Sequence, residues 1–157
     1  MKHRGPARGL FSFHCGLAIA DYGLEWVPGP AAFDYAVPMT PQEMKQRTKA
    51  FAIRIIRLVQ SLPAGRTSDV IGRQLLRCGT SVGSNYRAVC RARTKPDFLN
   101  KLGIVEEEAD ESAYWLEILA DSGLVKPARL ADLSKECNEI TAIIVAAART
   151  GRRRRER

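Results

Sequence analysis

Residues 71–89 read IGRQLLRCGTSVGSNYRAV, and their spacing decides the fold. Ile71, Leu75, Cys78, Val82, Asn85 and Val89 recur at intervals of 4, 3, 4, 3 and 4. Such a repeat lines one face of an α-helix for about five turns. A strand would need alternation with period two, which is absent here.

The pattern extends in both directions. Upstream, Phe51, Ile55, Leu58 and Leu62 repeat at 4, 3 and 4. Thr40-Pro41-Gln42-Glu43 forms a capping box ahead of them: Thr40 is the N-cap, Pro41 fills N1, and Glu43 can reach back from N3. Pro63-Ala64-Gly65 stops that helix, and the next is expected to start near Thr67 or Ser68. Downstream, Pro96 fits N1 of a third helix. There Phe98, Leu102, Val105, Ala109, Ser112, Leu116 and Leu119 form the inner face, and Gly123 ends it. Pro127 opens a fourth, lined by Leu130, Leu133, Cys137, Ile140, Ile144 and Ala147. Long helices joined by short connections must alternate in direction. The expected fold is all-α: an antiparallel up-down-up-down four-helix bundle over residues 40–149.

The flanks differ. Residues 1–39 are rich in Gly, Pro and aromatics without a sustained period and read as an irregular arm. Its basic start followed by LFSFHCGLAIA faintly resembles a signal peptide, but the apolar run is short and broken by His14. A mis-set start is the other reading, since Met39 stands just before the first helix signal. Residues 150–157 read as a basic tail.

With 157 residues there is room for one domain, and the formal net charge of +8 favours polyanionic partners. No apolar run reaches the roughly 18 residues of a membrane span. The only histidines are His3 and His14, both outside the expected bundle. This removes Ser-His-Asp and Cys-His nucleophile arrangements and the Glu-x-x-His pairs of di-iron bundles. Cys15, Cys78, Cys90 and Cys137 show no metal-ligand spacing and read as free thiols in a reducing, cytoplasmic setting. Glu106, Glu107, Glu108, Asp110 and Glu111 share one helix and diverge around it, so they suit solvent or arginine rather than a metal. Gly79 and Gly83 read as a close approach of helices; without a preceding strand they are no phosphate loop. No cofactor and no enzymatic site is expected.

Charge is divided unevenly. Six basic residues face one acidic residue, Asp69, between Thr67 and Lys95, whereas Pro96 to Gly123 holds eight acidic residues and one basic, Lys101. With the seam inward, Arg73, Arg77, Arg87 and Arg91 fall on the opposite face of the second helix, and Arg93 and Lys95 continue the charge. Arg54 and Arg57 add to it from the first helix, beside Lys45 and Lys49. Arginine donates bidentately to phosphate, so such a stripe can follow an RNA or DNA backbone. Ile104, Tyr114, Trp115 and Ile118 lie off the inner face of the third helix and form an expected oligomer interface. Asn85 falls on the seam, with Gln74 and Ser81 as possible buried polar partners.

The stretch QLLRCGTSVGSNYRAVCRARTKPDFLNKLGIVEEEADESAYWLEIL, residues 74–119, resembles the four-helix-bundle family encoded in intervening sequences of bacterial 23S ribosomal RNA genes. The likeness extends over residues 42–148. It implies a left-handed up-down bundle that assembles into homo-oligomers, typically pentameric rings. A similar bundle serves diversity-generating retroelements, where a basic pentamer engages nucleic acid and a reverse transcriptase. The family usually carries an acidic residue after the NYR segment, where this chain has Ala88. The expected function is a non-enzymatic homo-oligomer that binds RNA or DNA through basic helix faces. The alternative is a protein-interaction adaptor for a nucleic-acid enzyme such as a reverse transcriptase, without direct nucleic-acid contact.

Overall fold

The computed structural model describes residues 39–153, and the expectations for the N-terminal arm and for residues 154–157 lie outside them. Four helices follow in order: α1 Pro41–Gln60, α2 Arg66–Val89, α3 Lys95–Asp121 and α4 Pro127–Arg153. No strand occurs among the described residues.

Local chemistry sets the boundaries. Thr40 and Glu43 form the expected capping box: the Thr40 hydroxyl accepts from the Glu43 N–H at 3.2 Å, and the Glu43 carboxylate accepts from the Thr40 N–H at 2.6 Å. α2 starts slightly before the expected Thr67 or Ser68, because the Gly65 carbonyl takes the Asp69 N–H at 2.9 Å and Gly65 itself is the N-cap. Ser68 is buried in the first turn instead. Thr94 caps α3, which places Lys95 at N1 and Pro96 one residue later than expected. Gly123 adopts φ +73°, a left-handed value that favours glycine, and lets the Val125 N–H return to the Leu119 carbonyl at 3.1 Å.

The helices pack in sequence order, α1 on α2, α2 on α3 and α3 on α4, while α1 and α4 meet only sparsely. Each contact runs antiparallel. Gly72, Gly79 and Gly83 of α2 lie against Val59, Ile55 and Thr48 of α1. The Cys137 thiol of α4 donates to the Ala109 carbonyl of α3 at 3.2 Å, and Gly151 lies against Leu99. Arg129 of α4 reaches Ser61 of α1, and Arg47 reaches Glu136 and Glu139. The N-termini of α1 and α3 therefore share one end of the bundle with the C-termini of α2 and α4.

Every expected inner residue of α3 is buried, from Phe98 to Leu119. The seam of α2 departs locally from the expected one, where Tyr86 is buried and Asn85 is only half-buried, and Val89 is buried as expected. In α4, Ala148 replaces Ala147. A strict heptad repeat assumes 3.5 residues per turn, and a helix of 3.6 drifts about 20° per heptad. Gln74 and Ser81 are also half-buried, so the three expected buried polar residues are not buried. Thr48, Ser68 and Ser112 are the polar side chains that are. Thr48 and Ser112 satisfy their hydroxyls locally, on the Met44 carbonyl at 2.9 Å and the Glu108 carbonyl at 2.7 Å. α4 runs on to Arg153, past the boundary of 149 expected from the sequence. Gly151, past that boundary, is buried within the helix and makes room for Leu99.

Candidate nucleic-acid interface

Heptad geometry puts the arginines of α2 outward, and Arg73, Arg77, Arg87 and Arg91 are all exposed. Their partners differ. Arg77 Nη2 donates to Glu111 Oε2 at 2.6 Å, and Nη1 lies 3.7 Å from Glu108. The same hydrogen bond holds the Glu111 carboxyl below the usual range, and the Trp115 indole N–H donates to Glu111 at 3.3 Å. Arg77 thus links α2 to α3 and is a committed cation. Glu108 shows the opposite shift, raised chiefly by burial, and its Oε2 accepts no hydrogen bond among the described residues. Arg73, Arg87 and Arg91 make no ion pair among the described residues.

The topology divides the expected basic residues into two groups. Arg54, Arg57 and Arg73 lie toward the α1–α2 connection. Arg87, Arg91, Arg93 and Lys95 lie at the opposite end, where the first turns of α1 and the last turns of α4 also arrive. Those turns bring Lys45, Lys49, Arg149, Arg152 and Arg153 to the same end. Glu136 and Glu139 reach this end from α4 but pair with Arg47; within residues 39–50, 84–101 and 146–153 themselves the carboxylates are Glu43 and Asp97. Both are tied into caps. Hydrogen bonds from Thr40 hold Glu43 below the usual range. Asp97 is lowered first by Lys101, which it pairs with, and then by the Arg93 N–H at 3.1 Å. The positive field of this end therefore remains largely uncompensated.

Part of that pattern has a local cause. Cations at the C-terminal turns of α2 and α4 complement the helix dipoles there. Lys95 does not fit this explanation, because it is the first residue of α3, where the dipole opposes a cation. Spacing along the sequence singles out Arg87 to Lys95 and leaves Arg152 and Arg153 in the basic tail and Arg149 unnamed; α4 instead carries all three as helix residues.

The expected oligomer face of α3 is mixed. Tyr114 is 52% exposed and Ile104 38%, while Trp115 and Ile118 are half-buried and pack against the core. Tyr114 meets Trp115 edge-on with ring centroids 5.0 Å apart. Cys78, Cys90 and Cys137 are buried and outside any disulfide, and burial pushes the Cys137 thiol up to about 12. Among the described residues no group of three or more His, Cys, Asp or Glu could hold a metal ion, and no helix is long and apolar enough to cross a membrane.

Comparison with curated proteins returns no match. Among solved structures, the chain is similar to a protein with unknown function from the S23 ribosomal protein family of Bacteroides thetaiotaomicron VPI-5482. The two are 32% identical, with a TM-score of 0.66, covering 71% of this chain and 99% of the other. The 23S rRNA-intervening sequence protein family matches residues 41–146, well over half of the chain. The chain therefore belongs to the 23S rRNA-intervening sequence protein family.

Proposed function

We propose that this protein is a non-enzymatic, homo-oligomeric bundle that binds the backbone of RNA or DNA through its basic end. One observation supports the reading: cations from all four helices converge on an end whose nearby carboxylates are already engaged, Glu43 and Asp97 at helix starts and Glu136 and Glu139 by Arg47. Arg87, Arg91, Arg93 and Lys95 form its centre, with Lys49, Arg149, Arg152 and Arg153 around them. Arg54, Arg57 and Arg73 are peripheral, and Arg77 engages phosphate only by releasing Glu111. Backbone contacts of this kind carry affinity without sequence preference. Buried cysteines outside any disulfide suit a cytoplasmic location. The oligomer number proposed is five, on the family resemblance alone.

Filter binding with a structured RNA and a DNA duplex tests the reading. Contact with about five phosphates costs roughly two to three decades of affinity between 50 and 200 mM salt. Changing Arg87, Arg91, Arg93 and Lys95 together to Glu lowers affinity at least about 100-fold and flattens the salt slope. Changing Arg54, Arg57 and Arg73 to Glu has a smaller effect. Equal binding by the first variant and the wild type refutes the assignment. The adaptor reading draws on the exposure of Ile104 and Tyr114.

A further inference from the structure

The chain enters the bundle at its basic end. Met39 is half-buried and packs against the core, and Thr40 caps α1 directly after it. The residues before Met39 therefore leave from the end where Arg87, Arg91, Arg93, Lys95, Arg149 and Arg152 are gathered. None of these six makes an ion pair among the described residues.

The segment that leaves there, DYGLEWVPGPAAFDYAVP at 21–38, has a composition of its own. It holds Asp21, Glu25 and Asp34 and no basic residue, whereas residues 1–20 hold Lys2, Arg4 and Arg8 and no acidic one. Tyr22, Trp26, Phe33 and Tyr35 are interleaved with its carboxylates. An arginine-rich surface suits both kinds of group: carboxylates accept paired guanidinium bonds, and aromatic faces attract the cation. Single-stranded nucleic acid offers the same two features, negative charges along a chain of flat rings.

Reach agrees with chemistry. Extended chain covers about 3.3 Å per residue, so the segment can span about 60 Å. Two helix diameters, the width of the bundle end, come to about 20–25 Å. Asp34 precedes Met39 by five residues and stays within about 17 Å of it. A segment tethered so closely has a millimolar effective concentration, and a few weak ion pairs then suffice to hold it in place.

We infer that residues 21–38 lie over the basic end of their own subunit, where Asp21, Glu25 and Asp34 take the place of phosphates. A polyanion gains the end by displacing them. The end holds more cations than the segment holds carboxylates, so its field is lowered and not cancelled. Long, densely charged strands therefore displace the segment, and short or sparsely charged anions do not. This occupancy rests on the basic end of the proposed function and adds the control of that end.

The test uses the full chain and a variant carrying Asp21→Asn, Glu25→Gln and Asp34→Asn. Acrylamide quenching of tryptophan fluorescence reads the segment without any nucleic acid, because Trp26 lies in it and Trp115 contributes equally to both proteins. At about 50 mM salt the variant quenches more steeply than the wild type, and so does a protein with Arg87, Arg91, Arg93 and Lys95 changed to Glu. Equal quenching in the wild type and the first variant overturns the docking. Wild-type quenching in the second overturns it too, and places the carboxylates on Lys2, Arg4 and Arg8 instead. Filter binding of single-stranded DNA of about 20 nucleotides reads the competition. The first variant binds about tenfold more tightly than the wild type, three exposed pairs of a few-fold each being released. The control carries Glu107→Gln, Asp110→Asn and Glu117→Gln, the same change in charge placed well along α3 from the basic end. It gains less than about threefold, since those charges lie beyond a Debye length of the end. Equal gains in the two variants overturn the competition. Absence of DNA binding throughout, with the quenching difference intact, upholds the docking and overturns the proposed function instead.

Discussion

Replacing Gly79 with alanine adds one methyl group at the closest point between α1 and α2. The new Cβ sits 2.8 Å from Ile55 Cγ1, 3.0 Å from Cγ2 and 3.3 Å from Cβ. These atoms are at the root of a β-branched side chain, so rotating χ1 moves one away only by bringing another in. Ile55 is also wholly buried, leaving relief to a displacement of the helices. Overpacking of this kind costs about 1–3 kcal/mol, and three contacts under 3.4 Å put it near the upper end. Alanine returns about 1 kcal/mol in helix propensity. The net expectation is a loss of about 1–2 kcal/mol. Gly103, on α3, supplies the control, since nothing lies within 4 Å of the Cβ it would gain. There the same substitution keeps its propensity gain and stabilises by up to about 1 kcal/mol. Urea unfolding followed by circular dichroism at 222 nm, at one protein concentration, separates the two. With a slope of about 1.5–2 kcal/mol per molar, the midpoints differ by about 1–2 M. In the double change Gly79→Ala with Ile55→Ala, the clash vanishes, so its loss is smaller than the sum of the single losses. If Gly79→Ala stabilises as Gly103→Ala does, or if the double change is additive, the close approach of α1 and α2 is wrongly assigned.

The sparse α1–α4 seam depends on Arg47, whose guanidinium donates to Glu136 at 2.7 and 2.9 Å and also to Glu139. Arg47→Met leaves both half-buried carboxylates without that donor and destabilises by about 1–3 kcal/mol. Hydrogen exchange in α1 accelerates more than in α3, and uniform acceleration would contradict a local seam. Acid stability follows from Glu43, Asp97 and Glu111, whose carboxyls are all held below their ordinary values. A lowered folded value contributes stability above the unfolded one and loses it as pH falls, so the melting temperature drops between about pH 5 and pH 3. Glu108, raised by burial, acts in the opposite sense and offsets part of the drop. Glu111→Gln melts lower than the wild type at pH 7 and converges with it at low pH; parallel curves would rule out this linkage.

The core of the bundle was legible because burial repeats along a helix. Phe98 to Leu119 followed the 4-3 spacing for seven residues, and all seven are buried. The same rule missed at Asn85 and Ala147. In α4 the inward direction had moved by one residue, to Ala148, whereas in α2 the departure to Tyr86 is local and Val89 is buried as expected. The boundary at 149 differs for another reason, since α4 runs on through Gly151. Its intrinsic helix propensity is poor, but Leu99 fills the space where a side chain would sit, so tertiary packing decides the position. The GxxxG of Gly79 and Gly83 was readable as a close approach, whereas its partners, Ile55 and Thr48, depended on the register between helices.

Charge was legible as a face of one helix but not as an end of the molecule. Spacing alone places Arg73, Arg77, Arg87 and Arg91 outward, and it treats them as one stripe. Distances between helices break the stripe: Arg77 finds Glu111 across α3, and Arg73 sits far from Arg87 along the bundle axis. The same topology gathers cations more than 100 positions apart in the chain, Lys49 and Arg152 among them, because alternating helices return to one end. Neither result follows from composition, since a net charge of +8 is compatible with an even spread. What concentrates it is that nine of the thirteen acidic residues among those described lie elsewhere, many of them along α3, and that Arg47 takes up Glu136 and Glu139. An alternating bundle with acids toward its middle and far end must present a basic end, and it is on that end, not on the α2 stripe, that the proposed polyanion binding draws.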